Sequence, residues 1–286
     1  MRSAGKGRAT KLSITTNMFT LPNPPKIIKK EDNKATFEIE ALYPGYGVTV
    51  GNSLRRVLLS SLEGAAVTQV KIKGVSHEFS TIPGVLEDVV LLMLNLKQLR
   101  FKLFTDEPQT ATLKVKGEKE VKGSDLKLPS QAELVNKNCH IATLTSKSAE
   151  LDMEIKIEKG IGYSAREARK TATQEKLEIG VVPIDAIFSP VRRVSYRIEN
   201  MRVGERTDYD RLFLEITTDG TVSPETALFR ASEILVNHFS LFVDTLRPKI
   251  EEKTEERKEV AEKKKVRKTA RPAKKTRQKH AQKKKR

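Results

Sequence analysis

The chain has 286 residues and a single cysteine, Cys139, so an intrachain disulfide and a cysteine-based zinc site are both excluded. Its net charge of +17 is concentrated at one end: residues 249–286 contain 18 lysines and arginines against six glutamates, while the preceding 248 residues carry only +5. A basic tail of this kind favours polyanionic partners, with nucleic acid first. Because no apolar run approaches the roughly 18–20 residues of a membrane-spanning helix, we expect no membrane partner.

The first third of the chain predicts a strand, a helix and a second strand. Residues 1–23 are expected to be a basic, disordered extension, and prolines up to residue 25 interrupt any regular element. Residues 35–42 alternate apolar and polar side chains, which is typical of a half-buried strand. Apolar residues then recur at helical spacing, so residues 48–62 predict an amphipathic helix that carries Arg55 and Arg56.

The middle of the chain is predicted to be mostly strand. Runs with strand character occupy residues 67–73, 99–105, 110–116, 141–145 and 151–157. One helix is predicted between the first two of them, capped by Ser80 or Thr81 and entered at Pro83. The polar segment 164–179 predicts no regular element.

The last third predicts two strands, a long helix and a tail. Strand character returns at residues 191–198 and 211–217. Ser223 is a suitable N-cap, Pro224 suits the first helical position and Glu225 complements the helix dipole, so residues 223–246 predict a helix. The final 24 residues contain 14 lysines and arginines and no acid, and we expect residues 249–286 to be disordered when alone. The fold class is therefore α+β, with mainly antiparallel strands and two long helices.

The sequence offers no convincing catalytic constellation. Asp208 and Asp210 have the spacing of some metal–nucleotide sites, but two alternating carboxylates beside a strand are more often solvated. The four histidines share no metal-ligand spacing, and His77-Glu78 more plausibly hydrogen-bonds to backbone than acts as an acid–base pair. Gly160 and Gly162 lack the third glycine of a dinucleotide loop. We expect any chemistry to belong to partner proteins, with no cofactor, metal or small-molecule substrate on this chain.

Four ordered segments resemble the N-terminal region of the bacterial-type RNA polymerase alpha subunits. They are residues 45–61 (GYGVTVGNSLRRVLLSS), residues 74–97, residues 189–208, and residues 220–225 (GTVSPE). They occur in the order and at the spacing of that family, from about residue 24 to residue 246. The single segments are weak signals, whereas the ordered set is specific.

The resemblance implies a discontinuous dimerisation subdomain, residues 24–63 with 189–248, and an inserted, mostly β subdomain, residues 64–188. The two long helices would make the homodimer, and apolar faces that exceed the needs of one small sheet agree with this. The alternative is that both helices only cover their own sheet. The expected interface residues are Leu54, Leu58, Leu228, Ile234, Leu235 and Phe242.

The resemblance also implies which residues contact the two large polymerase subunits. Contact with the β subunit is expected from Arg55, Arg56, Leu59, His77 and Lys97, and contact with β′ from Ser189, Pro190, Arg192 and Arg193. An exposed arginine pair on a rigid helix suits bidentate recognition of partner carboxylates or carbonyls.

The implied function is that of a non-catalytic subunit on which β and β′ assemble, in the cytoplasm beside the nucleoid rather than in a plastid. The chain shows no sequence for the second, DNA-binding helical domain of most bacterial relatives, so non-specific DNA contact is expected from the tail, through Lys263, Lys264, Lys265, Arg267 and Lys268. Two other hypotheses remain: a free-standing basic nucleic-acid-binding protein, and a metal-dependent nucleotide enzyme that uses Asp208 and Asp210.

Overall fold

The computed structural model describes residues 20–173 and 180–246. The strands in these ranges are β1 (Lys26–Glu31), β2 (Lys34–Leu42), β3 (Glu63–Ile72), β4 (Phe101–Leu103), β5 (Gln109–Lys116), β6 (Lys119–Lys122), β7 (Ala132–Leu134), β8 (His140–Leu144), β9 (Glu150–Ile161), β10 (Tyr163–Ser164), β11 (Val181–Pro183), β12 (Ala186–Ile187), β13 (Val191–Val203) and β14 (Arg206–Thr218). The helices are α1 (Tyr46–Ser60), α2 (Val89–Leu96), α3 (Arg166–Thr173) and α4 (Pro224–Leu246). The chain divides after Leu235 into two compact units.

A four-stranded sheet in the order β1-β2-β14-β13 carries the smaller core of the first unit. The alternation predicted for β2 is present, since Ala35, Phe37 and Ile39 are buried and the residues between them are not. Leu54 and Leu58 of α1 pack into the same core, together with the first turns of α4. This core draws on residues 35–62 and 191–235.

A six-stranded sheet carries the larger core, which draws on residues 67–184. Its strands run in the order β5-β9-β3-β4-β7, and β11 also pairs with β3. Helix α2 packs its buried residues Val89, Leu92 and Leu96 against this sheet. Every strand pair in the described ranges is antiparallel. The prediction of an α+β fold with mainly antiparallel sheets is confirmed.

The helix that was expected to enter at Pro83 begins six residues later. Its cap is Asp88, whose carboxylate accepts the Leu91 N–H at 2.7 Å, and not Ser80 or Thr81. The backbone of the preceding residues is bound to β8 instead, because Leu86 N–H donates to the Thr143 carbonyl at 2.9 Å. Tertiary strand contacts therefore outweigh the local helical signal at residues 83–88.

One further element contradicts its prediction, and one strand was not predicted at all. Residues 166–173 form helix α3 where no regular element was expected. The Arg166 N–H at its start donates to a carboxylate of Asp185, 19 residues away, so no local sequence pattern indicates the helix. Strand β1 forms directly after the prolines, where the Lys26 ammonium pairs with Glu40 of β2 at 2.7 Å.

Candidate functional site

Helix α1 starts without a cap from its own sequence. Gly45 precedes it with a φ of 84°, in the left-handed region that favours glycine, and no local side chain caps the helix. The missing acceptor is Asp210 on β14, whose Oδ2 accepts the N–H groups of Gly45 and Gly47, each at 2.9 Å. A Cβ at Gly47 would lie only 2.9 Å from that oxygen. One buried carboxylate thus satisfies helix-start amides and ties α1 to the sheet.

The two faces of α1 have different surroundings. Leu54 and Leu58 are buried in the chain's own core, where they pack against the sheet, and their place at a dimer interface stays a prediction. Arg55, Arg56 and Leu59 are exposed on the other side. Neither guanidinium has an ion-pair or hydrogen-bond partner within the described residues. The basic face of α1 is therefore open to a partner.

His77 and Lys97 occupy a second region, and each is held by a neighbour. The His77 ring lies 3.1 Å from the Ser80 hydroxyl through Nδ1, and that hydroxyl donates to the His77 carbonyl at 2.8 Å. Within the described residues the His77 ring contacts a hydroxyl and Glu78 pairs with Arg166, so the expected bonds of these two side chains to backbone are not present. The Lys97 ammonium donates to Asp185 Oδ2 at 3.0 Å, so its charge is matched within the chain.

Asp185 is the residue that organises this region, and the sequence analysis did not identify it. Its two carboxylate oxygens bind different elements: Oδ1 accepts the Arg166 N–H at 3.0 Å and Oδ2 accepts the Lys97 ammonium. The backbone N–H of Arg166, followed by the Lys97 ammonium, holds the pKa of Asp185 below its ordinary value. The Arg166 guanidinium in turn pairs with Glu78. No periodic pattern surrounds Asp185, so only the tertiary structure indicates it.

The residues expected to contact β′ lie next to α1. The Ser189 hydroxyl donates to the Leu59 carbonyl at 3.2 Å, which places the two predicted contact regions side by side. Pro190 is buried, and its carbonyl accepts the Asp219 N–H at 3.0 Å inside the chain; its contact with β′ stays a prediction. Arg192 and Arg193 are both exposed.

Helix α4 changes character along its length. Leu228 is only 9% exposed and belongs to the core of the four-stranded sheet, so its place at a dimer interface also stays a prediction. Ile234 and Leu235 pack partly against the same core. In the second unit, large apolar side chains of the helix are exposed, namely Val236, Phe239, Leu241, Phe242, Val243 and Leu246. Phe242, at 59% exposure, is the predicted interface residue that remains open.

The candidate carboxylates for chemistry are occupied in structural contacts. Asp208 forms a bidentate pair with Arg206, at 3.0 and 2.7 Å, and Asp210 binds the start of α1. His140 lies between Glu87 at 2.9 Å and Glu120 at 3.4 Å. Within the described ranges, no three histidine, cysteine or acidic side chains are grouped as a metal site would need. Among those residues, no helix combines the length and the apolar composition that crossing a bilayer requires.

Several predicted segments and residues fall outside the described ranges. They are most of the 1–23 extension, His280, and the tail residues Lys263, Lys264, Lys265, Arg267 and Lys268.

Comparison with known proteins identifies relatives over most of the chain. Residues 70–189 match the family described as RNA polymerase Rpb3/RpoA insert domain. The DNA-directed RNA polymerase subunit alpha of Symbiobacterium thermophilum is 47% identical over 239 residues, which cover 83% of this chain and 75% of the relative. The subunits of the same name from Alkaliphilus oremlandii and Oceanobacillus iheyensis are 46% and 49% identical, over 81% and 72% of this chain and 74% and 65% of the relatives.

Proposed function

The chain belongs to the family of DNA-directed RNA polymerase alpha subunits, and from this premise we propose that it is a non-catalytic homodimer on which the β and β′ subunits assemble. The observation that carries the proposal is the basic face of α1. Arg55 and Arg56 have no partner in the described part of the chain, while the opposite face of the same helix is buried.

The position of the arginine pair suits specific recognition of another subunit. A guanidinium offers a planar fork of donors that matches carboxylates and carbonyls. Because α1 is anchored by Asp210 at its start and by Leu54 and Leu58 along its length, its arginine backbone is already placed before any partner arrives. Less ordering entropy is then lost on binding.

The apolar carboxyl half of α4 supports the homodimer. Phe239, Phe242 and Leu246 are each at least 59% exposed. An apolar patch of this kind is costly in water and is typical of a surface that another protein covers. A second copy of the same helix is a partner with matching chemistry, since a twofold interface brings the same patch together twice.

Catalysis is assigned to the partners, and the cytoplasm beside the nucleoid is the place where such an assembly acts. The tail from Lys263 onward, with 14 cations and no acid in 24 residues, is proposed to bind DNA without sequence preference. The chain truncated after Pro248 should bind DNA more weakly at low salt. The logarithm of its binding constant should also fall less steeply with the logarithm of the salt concentration, because each phosphate contact contributes about 0.9 to that slope. Unchanged salt dependence would assign DNA contact to other residues.

The decisive experiment is affinity purification of the tagged chain from its native cell. We expect two copies of the chain with one copy each of two large subunits, and RNA synthesis by the purified assembly. The matched control is the double variant Arg55→Ala/Arg56→Ala, which should dimerise but recover less of the β subunit. Recovery of the chain with DNA alone would favour the free-standing nucleic-acid-binding protein instead.

A further inference from the structure

A cavity of about 470 Å³ lies where the segment before β4 approaches the start of β13. Two arginines, Arg100 and Arg192, line it together with the polar residues Gln98, Asn136 and Ser189. The first arginine belongs to a segment of the larger core and the second to a strand of the smaller sheet. Two like charges from different elements therefore converge on one space.

The Arg100 side chain is held in place by contacts within the chain, and one part of its guanidinium group remains available. Its Nη1 donates to the carbonyls of Lys97 and Leu99 at 2.9 and 3.2 Å, and its Nε lies 3.4 Å from Asp219 Oδ2. Its own N–H donates to Asn136 Oδ1 at 2.8 Å, which fixes the backbone as well. Within residues 20–173 and 180–246, Nη2 has no partner. A fixed guanidinium with free donors is a preorganised half of an anion site.

Arg192 supplies the uncompensated charge. It is exposed and has no ion-pair partner in the described residues, whereas Asp219 balances Arg100. Burial lowers the pKa of the Arg100 guanidinium, the Asp219 charge opposes that change, and the nearby Arg192 charge lowers it further. The two arginines thus repel each other across the cavity, and one added negative charge would relieve that repulsion.

We propose that this cavity receives the carboxylate of an aspartate or glutamate side chain presented by the β′ subunit. The proposal rests on the proposed function, and it names the chemistry by which β′ is recognised beside Ser189. One uncompensated positive charge matches a monoanion, and the planar fork of Arg192 together with Nη2 of Arg100 matches the two oxygens of a carboxylate. Nucleic acid would instead need an extended basic track for successive phosphates. The lining also includes the apolar residues Ile187 and Val191, which suit the stem of an acidic side chain better than a sugar–phosphate chain.

Two arginines of one strand provide a matched test. Arg192 lines the cavity and Arg202 does not, yet both are exposed and both belong to β13. In reconstitution from the full-length dimer, β and β′, Arg192→Glu should weaken β′ capture about 30-fold, and Arg192→Gln should show a smaller loss. Arg202→Glu should change capture less than about fivefold. Equal losses for the two glutamate variants overturn the proposal, because they would reflect only overall charge.

A second measurement identifies the ligand directly. The variant Arg192→Lys, treated with a zero-length carbodiimide, should form an amide bond to an aspartate or glutamate of β′, mapped by mass spectrometry. The control Arg202→Lys should give much less of this product at its own position. Assembly without a cross-link from position 192 overturns the carboxylate site while the proposed function stands. Failure of the wild-type chain to capture β′ overturns both, and loss of DNA retention rather than of β′ by Arg192→Glu would assign the cavity to phosphate.

Discussion

Helices α1 and α4 contribute to the same core, but they begin in different ways. Helix α4 is capped by its own sequence: the Ser223 hydroxyl accepts the Thr226 N–H at 3.2 Å, and Pro224 occupies the first position. Helix α1 is capped by Asp210, which is 163 residues from Gly47 along the chain. A helix can thus be capped by its own sequence or by a side chain of a distant strand, and only the local cap can be recognised in the sequence.

The two helices also differ in what they leave exposed. Helix α1 exposes Arg55 and Arg56, which water solvates well when no partner is bound. The carboxyl half of α4 exposes Phe239 and Phe242, which water solvates poorly. A charged surface tolerates both the free and the bound state, whereas an apolar surface favours a permanent partner. The comparison therefore predicts a lasting contact through α4 and an assembly step through α1.

The largest effect is expected from a charge on the apolar surface of α4. Phe242→Glu should raise the dimer dissociation constant about a thousandfold, because an unpaired carboxylate would be buried at the interface. The protomer should stay folded, since Phe242 is exposed in the single chain. Sedimentation equilibrium measures the change, and Asn237→Glu, an exposed polar position of the same helix, is the control. Dimers of undiminished strength in the Phe242 variant would remove this helix from the interface.

Arg56→Ala tests the other side of the comparison. The variant should dimerise normally and lose about 2–5 kcal/mol of binding free energy for the β subunit, the usual cost of removing one partner of a buried charge pair. Titration of the dimer with purified β gives the affinity. Arg202→Ala, another exposed arginine, serves as the control, and equal losses in the two variants would contradict a specific role for α1.

The sequence predicted those parts of the fold whose signals are local. The alternation in β2 and the cap of α4 both lie within a few residues of the element they specify, and both are confirmed. The segment resemblance identified the family for the same reason. Which apolar side chains of the two helices pack into the chain's own core could not be predicted, because Leu54 and Leu228 have the same apolar pattern whether they cover a sheet or another chain. Asp210 was considered as a metal ligand or a solvated carboxylate and not as a helix cap, although the two glycines of an uncapped helix start were a usable signal.

Asp210 and Asp208 provide a matched pair of carboxylates two residues apart. Asp210→Ala should lower the free energy of unfolding by about 2–3 kcal/mol, because two helix-start amides lose their acceptor in a buried place. Asp208→Ala should leave the free energy of unfolding almost unchanged, since its pair with Arg206 is solvent-exposed. Urea unfolding of both variants decides the matter. Equal losses of unfolding free energy in the two variants would show that α1 does not depend on Asp210 as its cap.

Helix α3 extends the comparison, because Asp185 also caps it from a distance, and its contribution should depend on pH. The pKa of Asp185 is lowered in the folded chain by the Arg166 N–H and the Lys97 ammonium, so the contact is strongest above the unfolded value of about 4 and is lost as pH falls through the folded value. Hydrogen exchange at the Arg166 amide reports the contact directly. Protection should be steady from about pH 7 to pH 5 and fall below about pH 4, after correction for the intrinsic exchange rate.

Asp185→Asn removes the charge but keeps one oxygen acceptor, so the same amide should be less protected at neutral pH and should lose the acid step. Asp32→Asn, in the exposed turn between β1 and β2, is the control and should leave the acid step unchanged. If protection of the Arg166 amide still falls below about pH 4 in the Asp185 variant, another carboxylate causes that fall. Glu78, which pairs with Arg166, would be the next candidate. A step that vanishes only there would show that α3, like α1, is held at its start by a carboxylate from elsewhere in the chain.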